Sequence, residues 1–189
     1  MKPLLAALLA LVVATPAFAQ ASGDAALDKL IRASYRSYLD SETAPRPKIP
    51  ASARFNATEA ECAATAKRID AKEGADSSMG ACGDDYDLFC QCQDAFGLDW
   101  AKIDVAITHP DAQRAEAVIT FPPMEGLDSD GPALRMMFVR GGKTGWLLDD
   151  VWEYAQAEEG EGSYRTRITA SIQDMRKRLG MPAWKVPAL

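Results

Sequence analysis

Apolar positions recur along this chain with two different periods. Between residues 25 and 39, Leu27, Leu30, Ile31, Tyr35 and Tyr38 fall three or four apart, while Arg32, Arg36 and Ser37 take the other side. With 3.6 residues per turn, that spacing lays one apolar stripe along a helix. Asp24 stands where its cap would be. A second helix is expected from Asn56, with Glu59 three residues on in a capping-box arrangement, and should end near Gly74. Its stripe is thin: Cys62, Ala63, Ala66 and Ile69. A third helix is predicted from about Ser163 to Leu179 on Ile168, Ile172, Met175 and Leu179, with Gly180 and Pro182 to stop it.

Period two takes over in the middle of the chain. Ile103, Val105 and Ile107 alternate with polar residues in one expected strand, from Ala101 to Thr108, and a second runs from Ala115 to Phe121. The sharpest pattern is Ala133 to Trp152, two alternating runs about Gly141-Gly142, which reads as a β-hairpin. Both faces of that hairpin carry large side chains, so it is expected inside a sheet covered on both sides. Strict alternation would put Asp150 on one face with Trp146, Leu148 and Trp152. Helices first, consecutive strands next and a helix last imply an α+β fold with an antiparallel four-stranded meander. Between these elements lie a proline-rich connector at 40–50, a Gly- and Asp-rich loop at 74–87 expected to be mobile except at Cys82, an acidic loop at 158–162 and a tail after Gly180.

The first residues change the setting. Lys2, the apolar run Leu4 to Ala14 and the Ala17-Phe18-Ala19 site form a secretory signal peptide, residues 1–19, leaving a single domain from Gln20 to Leu189 in the periplasm or outside the cell. The apolar run falls short of the roughly 20 residues that span a bilayer, so no membrane insertion is expected after cleavage. A formal net charge of −6 disfavours nucleic acid, whose phosphates need clustered Lys and Arg. Four cysteines, Cys62, Cys82, Cys90 and Cys92, in an exported chain argue for two disulfides. A bond between Cys90 and Cys92 would close a small ring. The expected pairing therefore sends both back to Cys62 and Cys82. The sharper readings are a redox Cys-x-Cys and a zinc site; gaps of twenty, eight and two do not match paired zinc knuckles, and structural bridges are preferred to both.

Two short motifs carry a resemblance: Cys92-Gln93-Asp94, and Gly145-Trp146 through Asp149-Asp150-Val151. With the order of helices and strands, the chain resembles the exported bacterial family of unknown function DUF3828, within the NTF2-like superfamily. That resemblance implies a cone: a strongly curved antiparallel sheet closed by N-terminal helices and a C-terminal helix. It also implies a pocket, for which Tyr35, Tyr38, Gln93, Asp94, Trp146 and Asp150 are the candidate lining residues. The superfamily holds isomerases, dehydratases and non-enzymatic binding modules, so the fold alone does not decide function.

The remaining chemistry is sparse. A carboxylate among apolar neighbours, as expected for Asp150 and Asp94, is either functional or tied to a structural partner, and the structural reading is preferred. His109, the only histidine, lies in a Thr-His-Pro-Asp turn and reads as solvated. Leu127 to Gly131 resembles a calcium loop but lacks the EF-hand ligand spacing. Arg176-Lys177-Arg178 reads as a solvated helix end. No catalytic residue, metal or cofactor is assigned. The leading expectation is a non-enzymatic binding or interaction domain for an unknown small molecule or protein. Behind it stand an isomerase or lyase using a buried Asp with Tyr35 or Tyr38 as donor, and an immunity-type inhibitor of a secreted toxin.

Overall fold

Four antiparallel strands in the order β1-β2-β3-β4 form one sheet: β1 Asp104–Asp111, β2 Arg114–Thr120, β3 Leu134–Arg140 and β4 Trp146–Glu153. Three helices accompany it: α1 Ala17–Arg36, α2 Ala53–Glu73 and α3 Tyr164–Arg178. This computed structural model describes residues 17–39, 49–83, 86–92, 99–122, 134–141, 145–153 and 162–188, with side chains in the first stretch from 25 to 38. Most of the expected leader, Gln93, Asp94 and the 127–131 loop lie outside the described residues.

The sheet is curved, and one contact measures how strongly. Trp146 on β4 meets His109 on β1, with ring centroids 5.5 Å apart, although β2 and β3 lie between them. Neighbouring strands are spaced about 4.8 Å, so a flat sheet would hold these strands roughly 14 Å apart. The concave side of β2 carries Ala115, Ala117 and Ile119, all buried. On this face Leu134, Met136 and Phe138 of β3 sit opposite Glu153, Val151 and Leu148 of β4. They join Leu27, Ile31 and Tyr35 of α1, Phe55 and Ile69 of α2, and Ile168, Ile172 and Met175 of α3 in one continuous core.

The elements follow the sequence with corrections that have local causes. α1 begins before Asp24, in an alanine-rich stretch that favours helix, so Asp24 lies within the helix. α2 begins at Ala53, because Ser52 caps it: the Ser52 hydroxyl accepts the Phe55 N–H at 3.1 Å. Asn56 is already inside the helix, and Glu59 accepts the Tyr164 hydroxyl. Ser163, the approximate start expected for α3, is its cap and accepts the Thr166 N–H at 3.0 Å, so the helix runs from Tyr164. The first strand starts later than Ala101, since Asp99 opens a short 3-10 turn, Trp100–Lys102. It also runs through His109 and Pro110 to Asp111. His109 is thus a half-buried strand residue with its ring tilted against Trp146, not a solvated turn residue.

The hairpin's setting also differs from expectation. β4 is an edge strand, and the outward faces of β3 and β4, with Met137, Val139, Leu147 and Trp152, are half-buried. Its free edge is taken by a short parallel bridge: Ser52 N–H donates to Leu148 O at 2.7 Å and Leu148 N–H to Pro50 O at 2.8 Å. That pairing satisfies backbone groups an open edge would expose.

The disulfide pairing is Cys62–Cys82 and Cys90–Cys92, which overturns the expected exchange between the two ends. Gln91 adopts a left-handed φ of 53°, which folds the chain back and brings the Cα atoms of Cys90 and Cys92 to 5.1 Å. That lies inside the bridging range of about 4.4–6.8 Å, so the small ring closes after all. Cys62–Cys82 joins α2 to the run of tight turns at 75–83. The basic run of α3 is not merely solvated: Arg176 pairs with Glu61 and Arg178 with Glu73, both on α2. Among the described residues no helix is long and apolar enough to cross a membrane.

Candidate functional site

The most unusual stretch is the Asp149-Asp150 pair of β4. Met137 of β3 faces Asp150, but its neighbour Phe138 faces Leu148, leaving Asp149 as an extra residue in the ladder. Such a bulge shifts the alternation that follows it. Trp146, Leu148, Val151 and Glu153 therefore share the concave face. Asp150 and Trp152 lie on the other, contrary to the expected grouping of Asp150 with Trp146 and Leu148.

Each carboxylate then meets the cap of a different helix, and Arg165 at the start of α3 reaches both. Asp149 accepts the Ser52 hydroxyl at 2.8 Å, Arg54 Nε at 2.6 Å, a second bond from the Arg54 guanidinium, and Arg165 NH1 at 2.9 Å. Asp150 accepts the Ser163 hydroxyl at 2.6 Å, the Arg165 N–H at 3.0 Å and the Val151 N–H at 2.9 Å. The arginine forks suit planar carboxylates, and the helix starts supply donors and a favourable dipole. Burial pushes the Asp149 carboxyl up. The bonds from Arg54, Ser52 and Arg165 outweigh it and hold the group below the usual carboxylate range. The same Asp149 bond raises Arg54. Asp149 is thus a fixed anion among donors, unsuited to shuttling protons near neutral pH.

The other expected pocket residues serve the core. Tyr35 is fully buried and donates to Phe89 O at 2.8 Å; burial, and then the nearby Asp87, hold its hydroxyl protonated well above its usual range. Tyr38 donates to Asp87 at 2.9 Å and stacks on Trp100 with centroids 4.4 Å apart. Trp146 is 1 % exposed beneath the Arg140 guanidinium, 4.0 Å from its ring centre. Glu153, also buried, is paired with Arg167, which in turn reaches the Tyr86 hydroxyl.

Beside the carboxylate pair, on the outward face, lies a cleft of about 650 Å³. Val139 and Leu147, cross-strand partners, form its apolar floor, with Ser52 and Ala53 at the start of α2 as one wall. The β1–β2 turn, from Asp111 to Arg114, forms the other, and Arg140 stands at its rim. Its size falls within the range of small-molecule sites. Arg114 is paired with Asp111, whereas Arg140 makes no ion pair among the described residues. None of Tyr35, Tyr38, Trp146 and Asp150 lines this cleft. The sequence signal for it was the apolar residues on the second face of the hairpin, Val139 and Leu147, which suggested a covering layer. Among the described residues no group of three His, Cys, Asp or Glu side chains could hold a metal ion. No family model, curated protein or solved structure matches this chain.

Proposed function

We propose that this chain is an exported, non-enzymatic binding domain of the periplasm, and that the cleft over Val139 and Leu147 takes a small amphipathic anion. The observation that carries this reading is the contrast between the two regions. Among the described residues, the carboxylates of Asp149 and Asp150 are spent on helix starts, the Tyr35 hydroxyl on a backbone carbonyl and that of Tyr38 on Asp87. The cleft instead combines an apolar floor with the Arg140 cation. An apolar body would lie on Val139 and Leu147 while the anionic end meets Arg140. The NTF2-like resemblance agrees with a binding module but adds no site to the argument.

Thermal melts with a matched series of eight-carbon probes test this: octanoate, octanol and octylamine. Octanoate should raise Tm with increasing concentration, octylamine should not, and Leu147→Asp should abolish the effect by placing a carboxylate on the floor. A series in which no probe raises Tm, or in which Leu147→Asp leaves the octanoate effect intact, contradicts the reading.

A further inference from the structure

We propose that the Cys90–Cys92 bridge is a thiol–disulfide exchange site that accepts electrons from a dithiol, and that it opens and closes while the rest of the fold stays intact. The two bridges of this protein do different things. Cys62–Cys82 spans a separation of 20 residues and ties α2 to the turns beyond it. Cys90–Cys92 spans a separation of 2 and joins no two elements. A cross-link restricts the unfolded chain less as its loop shortens, so the smaller ring does least for stability.

The loop around that ring is held by other bonds. Asp87 N–H donates to Cys92 O at 2.8 Å, closing the loop at its base. The Asp87 carboxylate accepts the Phe89 N–H at 2.8 Å and the Tyr38 hydroxyl at 2.9 Å. Tyr35 donates to Phe89 O, and the Gln91 side-chain amide donates to Leu88 O at 2.6 Å. Leu88 and Phe89 are buried in the core. None of these contacts uses the S–S bond, so breaking it leaves the loop docked on α1. Closing the ring, by contrast, holds Gln91 in the left-handed region, which a residue with a side chain adopts at a cost.

Exchange requires an attacking thiolate to reach one sulfur. Cys90 is 4 % exposed, while Cys92 is half-buried and so the more open of the two to attack. The thiolate of the dithiol attacks Cys92 Sγ; a new S–S bond forms as the Cys90–Cys92 bond breaks, and Cys90 leaves as a thiolate that takes up a proton. The second thiol of the dithiol loses its proton and attacks its own partner sulfur in the mixed disulfide, releasing Cys92, which is protonated. Two electrons and two protons pass to the bridge, and the dithiol becomes a disulfide.

The test uses the full mature chain in graded ratios of reduced to oxidised dithiothreitol, with acid quenching, alkylation and mass mapping, and near-UV circular dichroism on the same samples. Over at least a tenfold range of ratios, Cys90 and Cys92 should carry alkyl groups while Cys62–Cys82 stays oxidised and the near-UV signal is unchanged. A dithiol protein with a Cys-x-x-Cys site, supplied reduced, should open the same bridge. For Cys90→Ser, the oxidised dithiol protein should form a mixed disulfide on Cys92 at least tenfold faster than it does on Cys90 of Cys92→Ser. Opening of Cys62–Cys82 first, opening of both together, or loss of the near-UV signal when Cys90–Cys92 opens would each overturn the proposal.

Discussion

Asp149 and Asp150 are adjacent in β4, yet they accept the caps of different helices: Asp149 the hydroxyl of Ser52, the cap of α2, and Asp150 that of Ser163, the cap of α3, while Arg165 of α3 reaches both carboxylates. A bulge at Asp149 makes this possible, because it lets two consecutive side chains leave the ladder toward separate partners. Both helices therefore start from one point on the sheet. Phe55 and Tyr164, near the two starts, stack with centroids 5.9 Å apart.

The division of labour makes a residue-level prediction. Asp150→Asn should lower stability by about 1–3 kcal/mol at neutral pH, the usual loss for a charge-assisted buried bond. The damage should be local to α3. In native-state hydrogen exchange, the amides of Thr166 and Arg167 should lose protection more than that of Phe55. Equal loss at both helix starts would argue against separate clamps.

Much of this arrangement was legible in the sequence. The three- and four-residue spacing of Leu27, Ile31 and Tyr35, and of Ile168, Ile172 and Met175, marks stripes that are buried in the structure. The meander follows from period two, and the start of α3 within one residue from the third stripe. What was not legible depends on long-range contacts. A bulge leaves no mark in an alternating strand, so the face assigned to Asp150 was wrong. Ser52 and Asn56 are both good caps, and the choice between them is made by Asp149, 97 residues away from Ser52. The Cys90–Cys92 ring depends on the backbone angle of Gln91, which residue type does not specify. The cleft needs β1–β2, β3–β4 and α2 together, and no single stretch announces it.

The two disulfides should differ in what they contribute to stability. Chain-entropy arguments give about 3 kcal/mol for the Cys62–Cys82 loop and about half that for Cys90–Cys92. Urea unfolding of the Cys62→Ala/Cys82→Ala and Cys90→Ala/Cys92→Ala double variants checks the order. A larger loss from the second pair would mean that the small ring has a structural role beyond closing its loop.

Gly162 is a packing requirement. A Cβ there would lie 2.0 Å from Trp152 Nε1, and the Gly162 carbonyl accepts the Glu153 N–H at 2.7 Å. Gly162→Ala must push back a large ring or break that bond, and should cost about 1–3 kcal/mol, as overpacking does. Gly180, at φ 68° with no atom within 4 Å of its would-be Cβ, supplies the comparison. Gly180→Ala should cost about 1–2 kcal/mol, from backbone conformation alone. Chemical denaturation of both, with tryptophan fluorescence as probe, should show an altered native spectrum only for Gly162→Ala.

The structural role of the carboxylate pair is tested most directly by the pH dependence of Asp149→Asn. The folded-state pKa of Asp149 is depressed, with burial opposed and outweighed by bonds from Arg54, Ser52 and Arg165. A depressed carboxyl contributes stability that is fully present above its unfolded value, about 3.9, and is lost as pH falls through the folded value. Urea unfolding of wild type and Asp149→Asn from pH 7 down to pH 2.5 should therefore show a gap of about 1–3 kcal/mol that is flat above pH 5 and narrows below about pH 4. A variant as stable as wild type at pH 7, or a gap that widens as the pH falls, would contradict the clamp.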